Sequence, residues 1–198
     1  MASIKHLHVN SEKHSGAIEV YQHSSSNKIT DYASDVTGFN LVKAHNVGEG
    51  NCAYPSGGHY VIRPKLYPQV ACHVIFEDGR TEVSNKTPFG EVHIIFDKQL
   101  RQFKLENEHS GDLHVKYTPP AHSSEDNTRA YLGTFSDAEN LKPGTNQTYK
   151  ADGHYALRST LDSNPANVFS IDFIGDKIHF TNGNPGGEIA IALQKNLN

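Results

Sequence analysis

Residues 76–100 read FEDGRTEVSNKTPFGEVHIIFDKQL, and residues 173–197 read FIGDKIHFTNGNPGGEIAIALQKNL. The two stretches align without a gap at an offset of 97. Phe76/Phe173, Asn85/Asn182, Pro88/Pro185, Gly90/Gly187, Glu91/Glu188, Ile94/Ile191, Lys98/Lys195 and Leu100/Leu197 are identical. Arg80/Lys177, Ser84/Thr181 and Val92/Ile189 keep their chemical class. Upstream, Gly58-His59-Tyr60-Val61-Ile62-Arg63 matches Gly153-His154-Tyr155-Ala156-Leu157-Arg158 at an offset of 95, and so does His14-Ser15-Gly16 with His109-Ser110-Gly111. His23-Ser24-Ser25 matches His122-Ser123-Ser124 at 99. Blocks that recur in one order mark a repeated structural unit. The reading is an internal duplication into two modules, residues 1–100 and 101–198. No Pro/Gly-rich linker separates them, so they are expected to pack closely.

Within each module the hydrophobic period is two. Gly111-Asp-Leu113-His-Val115-Lys-Tyr117 places Leu, Val and Tyr on one face, and Ile18 and Val20 repeat this in the first half. Cys72, Val74 and Phe76 share a face, as do Phe169, Ile171 and Phe173. Such alternation is the mark of half-buried strands. Asp78-Gly79 and Gly175-Asp176 read as hairpin turns, while Pro88 with Gly90 and Pro185 with Gly187 mark wider loops. One helical turn is expected over 137–141, before Pro143-Gly144. The fold class that follows is all-β: two tandem antiparallel β-sandwich modules.

Composition narrows the function classes. The 198 residues are 36% apolar and 20% charged, with nine Tyr, nine Phe and a net charge of −4. That is enough for a packed core, and no basic stripe suggests nucleic acid. The N-terminus lacks the apolar run and cleavage pattern of a secretory signal, so synthesis in the cytoplasm is expected, with release by a non-classical route left open. Cys52 and Cys72 do not make a disulfide framework, and Cys72 reads as a small buried thiol.

No nucleophile elbow, phosphate loop or zinc-protease signature is present, and the adjacent pairs Glu77-Asp78 and Glu125-Asp126 point to opposite faces of an extended chain. The protein is therefore read as not an enzyme, with no cofactor. His6 and His8 lie two apart on a strand, a spacing that suits a zinc pair. No third ligand is fixed near them, and no metal site is assigned.

The Gly-His-Tyr…Arg block is the most specific local feature. His59, Tyr60 and Arg63, with His154, Tyr155 and Arg158, offer donors suited to sugar hydroxyls or a lipid phosphate. The alternative is structural, with Tyr in the core and Arg paired to a local carboxylate. The polar turns and loops around His14, His109, Asn27 and Asn127 complete the candidate binding residues, since binding concentrates on loops at a sandwich end.

In layout, each half resembles small β-sandwich modules of the PirA-like, Cry-domain-III-like and aegerolysin-like kind. The residues that carry this are Ser15-Gly16 and Ser110-Gly111 leading into a strand, the Gly-x-Tyr-x-x-Arg strand, and a closing Gly-Glu-hydrophobic strand at Gly90-Glu91-Val92 and Gly187-Glu188-Ile189. The resemblance implies recognition of carbohydrate or membrane lipid without catalysis. The chain departs from it in having no Trp. The leading expectation is a bivalent lectin-like protein that binds glycans or glycoconjugates on cell surfaces, because paired sites multiply avidity. The alternatives are a membrane-active toxin subunit and a structural or assembly protein. Self-association into a homo-oligomer stays open.

Overall fold

Among the described residues the alternation of the sequence is realised as strands. The protein is described by a computed structural model, which covers residues 3–10, 16–23, 40–45, 51–65, 70–77, 79–87, 90–97, 99–120, 139–161, 169–184 and 187–196. The first segment supplies β1 (Ser3–Asn10), β2 (Ile18–His23), β3 (Asn40–His45), β4 (Asn51–Pro55), β5 (Gly58–Pro64), β6 (Cys72–Glu77), β7 (Arg80–Thr87) and β8 (Gly90–Asp97). The second supplies β9 (Gln102–His109), β10 (Leu113–Thr118), β11 (Glu139–Leu141), β12 (Asn146–Lys150), β13 (His154–Ser159), β14 (Phe169–Ile174), β15 (Lys177–Asn184) and β16 (Gly187–Asn196). Glu139–Leu141, expected within a helical turn, is instead a short strand that pairs with β10. Backbone partners offered by Leu113 to Val115 outweigh the weak helical tendency of so short a stretch.

The strands form two antiparallel eight-stranded sheets. One runs β11-β10-β13-β14-β15-β16-β1-β4 and the other β3-β2-β5-β6-β7-β8-β9-β12. Adding eight to each label of the second order, with β9 and β12 wrapping to β1 and β4, gives the first. Each sheet takes six strands from one segment and two from the other. β1 pairs with β16, and β8 pairs with β9 across residue 100. Segments 1–100 and 101–198 are therefore interleaved.

The two sheets close on one hydrophobic cluster that draws Leu7, Ile18 and Val74 from one segment and Leu105, Ile171 and Leu193 from the other. Aromatic rings join the sheets at its centre. Phe96 on β8 meets Phe180 on β15 at 5.8 Å, and Phe103 on β9 meets Tyr155 on β13 at 4.9 Å, edge to face. Full burial of one such side chain contributes about 1.5–3 kcal/mol. Cys72, Val74 and Phe76 lie on the inner face as the alternation predicts, and burial pushes the Cys72 thiol up to about 12. That value keeps it protonated and unreactive.

Local geometry recurs at matching positions. Tyr54 lies 5.6 Å from Tyr60 with the rings at 49°, and Tyr149 lies 5.5 Å from Tyr155 with the rings at 64°. Tyr60 meets Phe76 at 6.1 Å and 89°, and Tyr155 meets Phe173 at 6.3 Å and 85°. Gly58 and Gly153 both open their strands at positive φ, 75° and 69°. Among the described residues, no helix is long and apolar enough to cross a membrane.

Candidate functional site

The structure divides the Gly-His-Tyr…Arg residues between the two faces of β5 and β13. Tyr60 and Tyr155 point inward and are buried. Their hydroxyls donate to the carbonyls of Pro55 at 2.7 Å and Lys150 at 2.6 Å. Tyr60 also accepts from the Gln22 amide at 2.8 Å. His59 lies on the outer face yet is 0% exposed, its Nε2 2.6 Å from His73 Nδ1. Burial, and then the neighbouring His59, holds His73 well below the usual imidazole range. Arg63 bonds Glu19 at 2.9 Å and lies over the Tyr21 ring at 5.2 Å. His154 is buried against Asp172, and burial raises that carboxyl while the bond from His154 opposes the rise. Arg158 is half-buried on β13, opposite His114.

His59, Tyr60, Arg63, His154 and Tyr155 thus bond to neighbouring parts of the two sheets. Not every polar atom is engaged: the Arg63 Nε is buried with no hydrogen-bond partner among the described residues. His109 is also buried, neither of its ring nitrogens has a hydrogen-bond partner among the described residues, and burial drops it to about 4. His14, Asn27 and Asn127 lie outside the described residues. His6 and His8 do share the outer face of β1, with ring centroids 6.2 Å apart.

What the second block does present is a ring at the end of the sandwich. Tyr117 stands directly opposite Tyr155 in the β10–β13 register, 4.9 Å from it, and is 43% exposed. Leu113 and Val115 precede it on the same face and are buried, so Tyr117 is where that face leaves the core. Its hydroxyl donates to Asp152 at 2.6 Å, and this bond, with some burial, pushes the phenol up to about 12. Lys150 pairs with the other oxygen of Asp152 at 3.2 Å. The site also depends on Gly153. A Cβ there would lie 2.4 Å from the Thr118 carbonyl oxygen and 2.8 Å from the Tyr117 ring.

Comparison of the chain with protein-family models, curated proteins and solved structures finds no match. Its site must be read from its own geometry.

A second group of polar side chains lies on the outer face of β7, β8 and β9. His93 places Nε2 3.1 Å from Glu91 and 3.0 Å from Glu108, and Nδ1 2.8 Å from Glu82. Glu82 is held in turn by Arg80 at 3.0 Å. Burial alone would lower His93, but bonds to Glu82 and Glu91 and the charge of Glu108 overcome it and raise the ring to about 10. The Glu91-x-His93 spacing, which puts both side chains on one face of a strand, is the signal passed over in the sequence. Glu108 joins only once the β8–β9 register sets it opposite Glu91. Beside this group lies a shallow hollow of about 240 Å³ lined by Arg80, Ile95, Gln102, Phe103, Lys104 and Thr148. It is smaller than the roughly 300–1,000 Å³ of ordinary ligand pockets.

Proposed function

We propose that this protein is a non-enzymatic, lectin-like carbohydrate-binding protein whose described platform is Tyr117 with Asp152 and Lys150. The observation that carries this reading is an exposed aromatic ring pinned in place by a carboxylate. Sugar C–H faces stack on such rings, and sugar hydroxyls donate to carboxylate oxygens that keep lone pairs to spare. Because the Asp152 bond and the Tyr155 ring already fix Tyr117, little side-chain freedom is lost on binding. Lys150, 80% exposed, adds donors at the rim.

The bivalence suggested by the repeat needs two like sites. The position matching Tyr117 at the offset of 95 is Gln22, and its amide is committed to Tyr60. Among the described residues the chain thus offers one platform, and avidity for a repetitive surface would require association of copies.

A glycan array probed with the wild type and with Tyr117→Ala tests this. Binding by the wild type that disappears in the variant is the expected result. No glycan bound, or equal binding by the variant, overturns it. Release of dye from liposomes by the wild type would point to the membrane-active alternative.

A further inference from the structure

We infer that Glu91, His93 and Glu108 form a site for a divalent transition-metal ion, zinc foremost, with Glu82 as the residue that positions His93. Glu91 and Glu108 face each other directly across β8 and β9. Like charges so placed repel, and His93 Nε2 sits between them at 3.1 and 3.0 Å, the position from which a bound cation would bridge both. The three candidate ligand atoms, one from each residue, lie within 4.8 Å of one another. Two atoms each about 2.0–2.1 Å from a tetrahedral zinc ion lie about 3.3 Å apart. The separations of His93 Nε2 from the two carboxylates, 3.1 and 3.0 Å, are close to that value.

The surroundings support the assignment. Glu82 accepts from His93 Nδ1, which fixes the tautomer and turns Nε2 outward, the arrangement by which metal-binding histidines are oriented. Side-chain exposure rises from 1% at Glu82 through 8% at His93 and 17% at Glu91 to 58% at Glu108. The site is thus anchored in the sheet and open on one side, where an ion can arrive and a water or ligand oxygen can complete the shell.

Charge and repetition add to this. With three carboxylates and Arg80 in the group, a neutral His93, the form that ligates a metal, leaves a net charge of −2. A divalent ion at Nε2 leaves none. The matching strand β16 keeps Glu188 at the position of Glu91 but has Ala190 at that of His93. The same scaffold therefore folds without this histidine. A nitrogen ligand with two carboxylates favours zinc and its first-row neighbours over calcium and magnesium, which prefer all-oxygen shells.

Calorimetric titration of zinc into the chelator-treated full chain tests the assignment. One equivalent should bind, and cobalt substitution should give the visible absorption of tetrahedral coordination. His93→Ala, which copies Ala190, and Glu108→Gln, at an exposed position, should each weaken zinc binding at least tenfold with unchanged circular dichroism. Glu82→Gln should weaken it 10- to 100-fold. His6→Ala with His8→Ala should leave it intact. Absence of zinc binding, wild-type affinity in Glu108→Gln, or loss of binding in the His6/His8 variant would each overturn the site.

Discussion

Tyr60 on β5 donates its hydroxyl hydrogen to the carbonyl of Pro55 on β4 across 2.7 Å, and the bond runs from one sheet to the other. Tyr155 repeats it toward Lys150 with the roles of the sheets exchanged. Phenylalanine at either position keeps the ring in the core but removes the tie. Each of Tyr60→Phe and Tyr155→Phe should cost about 1 kcal/mol. Urea denaturation should show a lower midpoint with an unchanged slope. A loss confined to one of the two variants would contradict their equivalence.

Gly153 and Gly57 separate backbone strain from simple loss of glycine. Gly153 has φ +69°, and a Cβ there meets the Thr118 carbonyl at 2.4 Å, whereas nothing lies within 4 Å of a Cβ at Gly57. Gly153→Ala should destabilise by roughly 1–3 kcal/mol and displace Tyr117. Gly57→Ala should change stability by less than about 1 kcal/mol. Thermal melts of the two variants give the comparison.

The buried His59–His73 pair makes the fold sensitive to acid. His73 titrates lower in the folded chain than at its unfolded value of about 6.5. Below that pH the unfolded state binds more protons, so stability falls as pH drops from about 6.5, and above it this contribution is complete. Chemical denaturation from pH 7.5 to pH 5 should show the decline. His73→Leu should flatten part of it, and an unchanged slope would exclude the pair as its source.

Interleaving has a consequence for fragments. Residues 101–198 alone leave β16 without β1 and β4, and leave the inner face of β13 to β16 without the sheet that covers it. Fragments 1–100 and 101–198 should each lack a cooperative melting transition, and mixing them should restore one. A fragment that melts cooperatively as a monomer would contradict a shared core.

Much of the scaffold was legible in the sequence. The alternation around Cys72, Val74 and Phe76 identified the inner face, because a strand that covers a core must repeat every two residues. The exchange of β1 and β4 was not legible, since edge pairing depends on which strand reaches an open backbone first in space. The surroundings of the candidate residues were not legible for a related reason. His59 and His154 alternate onto the outer face, but their burial against His73 and Asp172 depends on neighbouring strands. Tyr117 carries the same alternation as Leu113 and Val115, and only its place at the strand end turns it from a core residue into an exposed one.

The proposed platform predicts one sugar site among the described residues, at Tyr117 and not at Gln22. Calorimetric titration of an array-identified glycan measures that number directly. One glycan per chain, abolished by Tyr117→Ala in a variant that keeps its melting temperature, is the predicted result. Two glycans per chain, or one that persists in Tyr117→Ala, would contradict it.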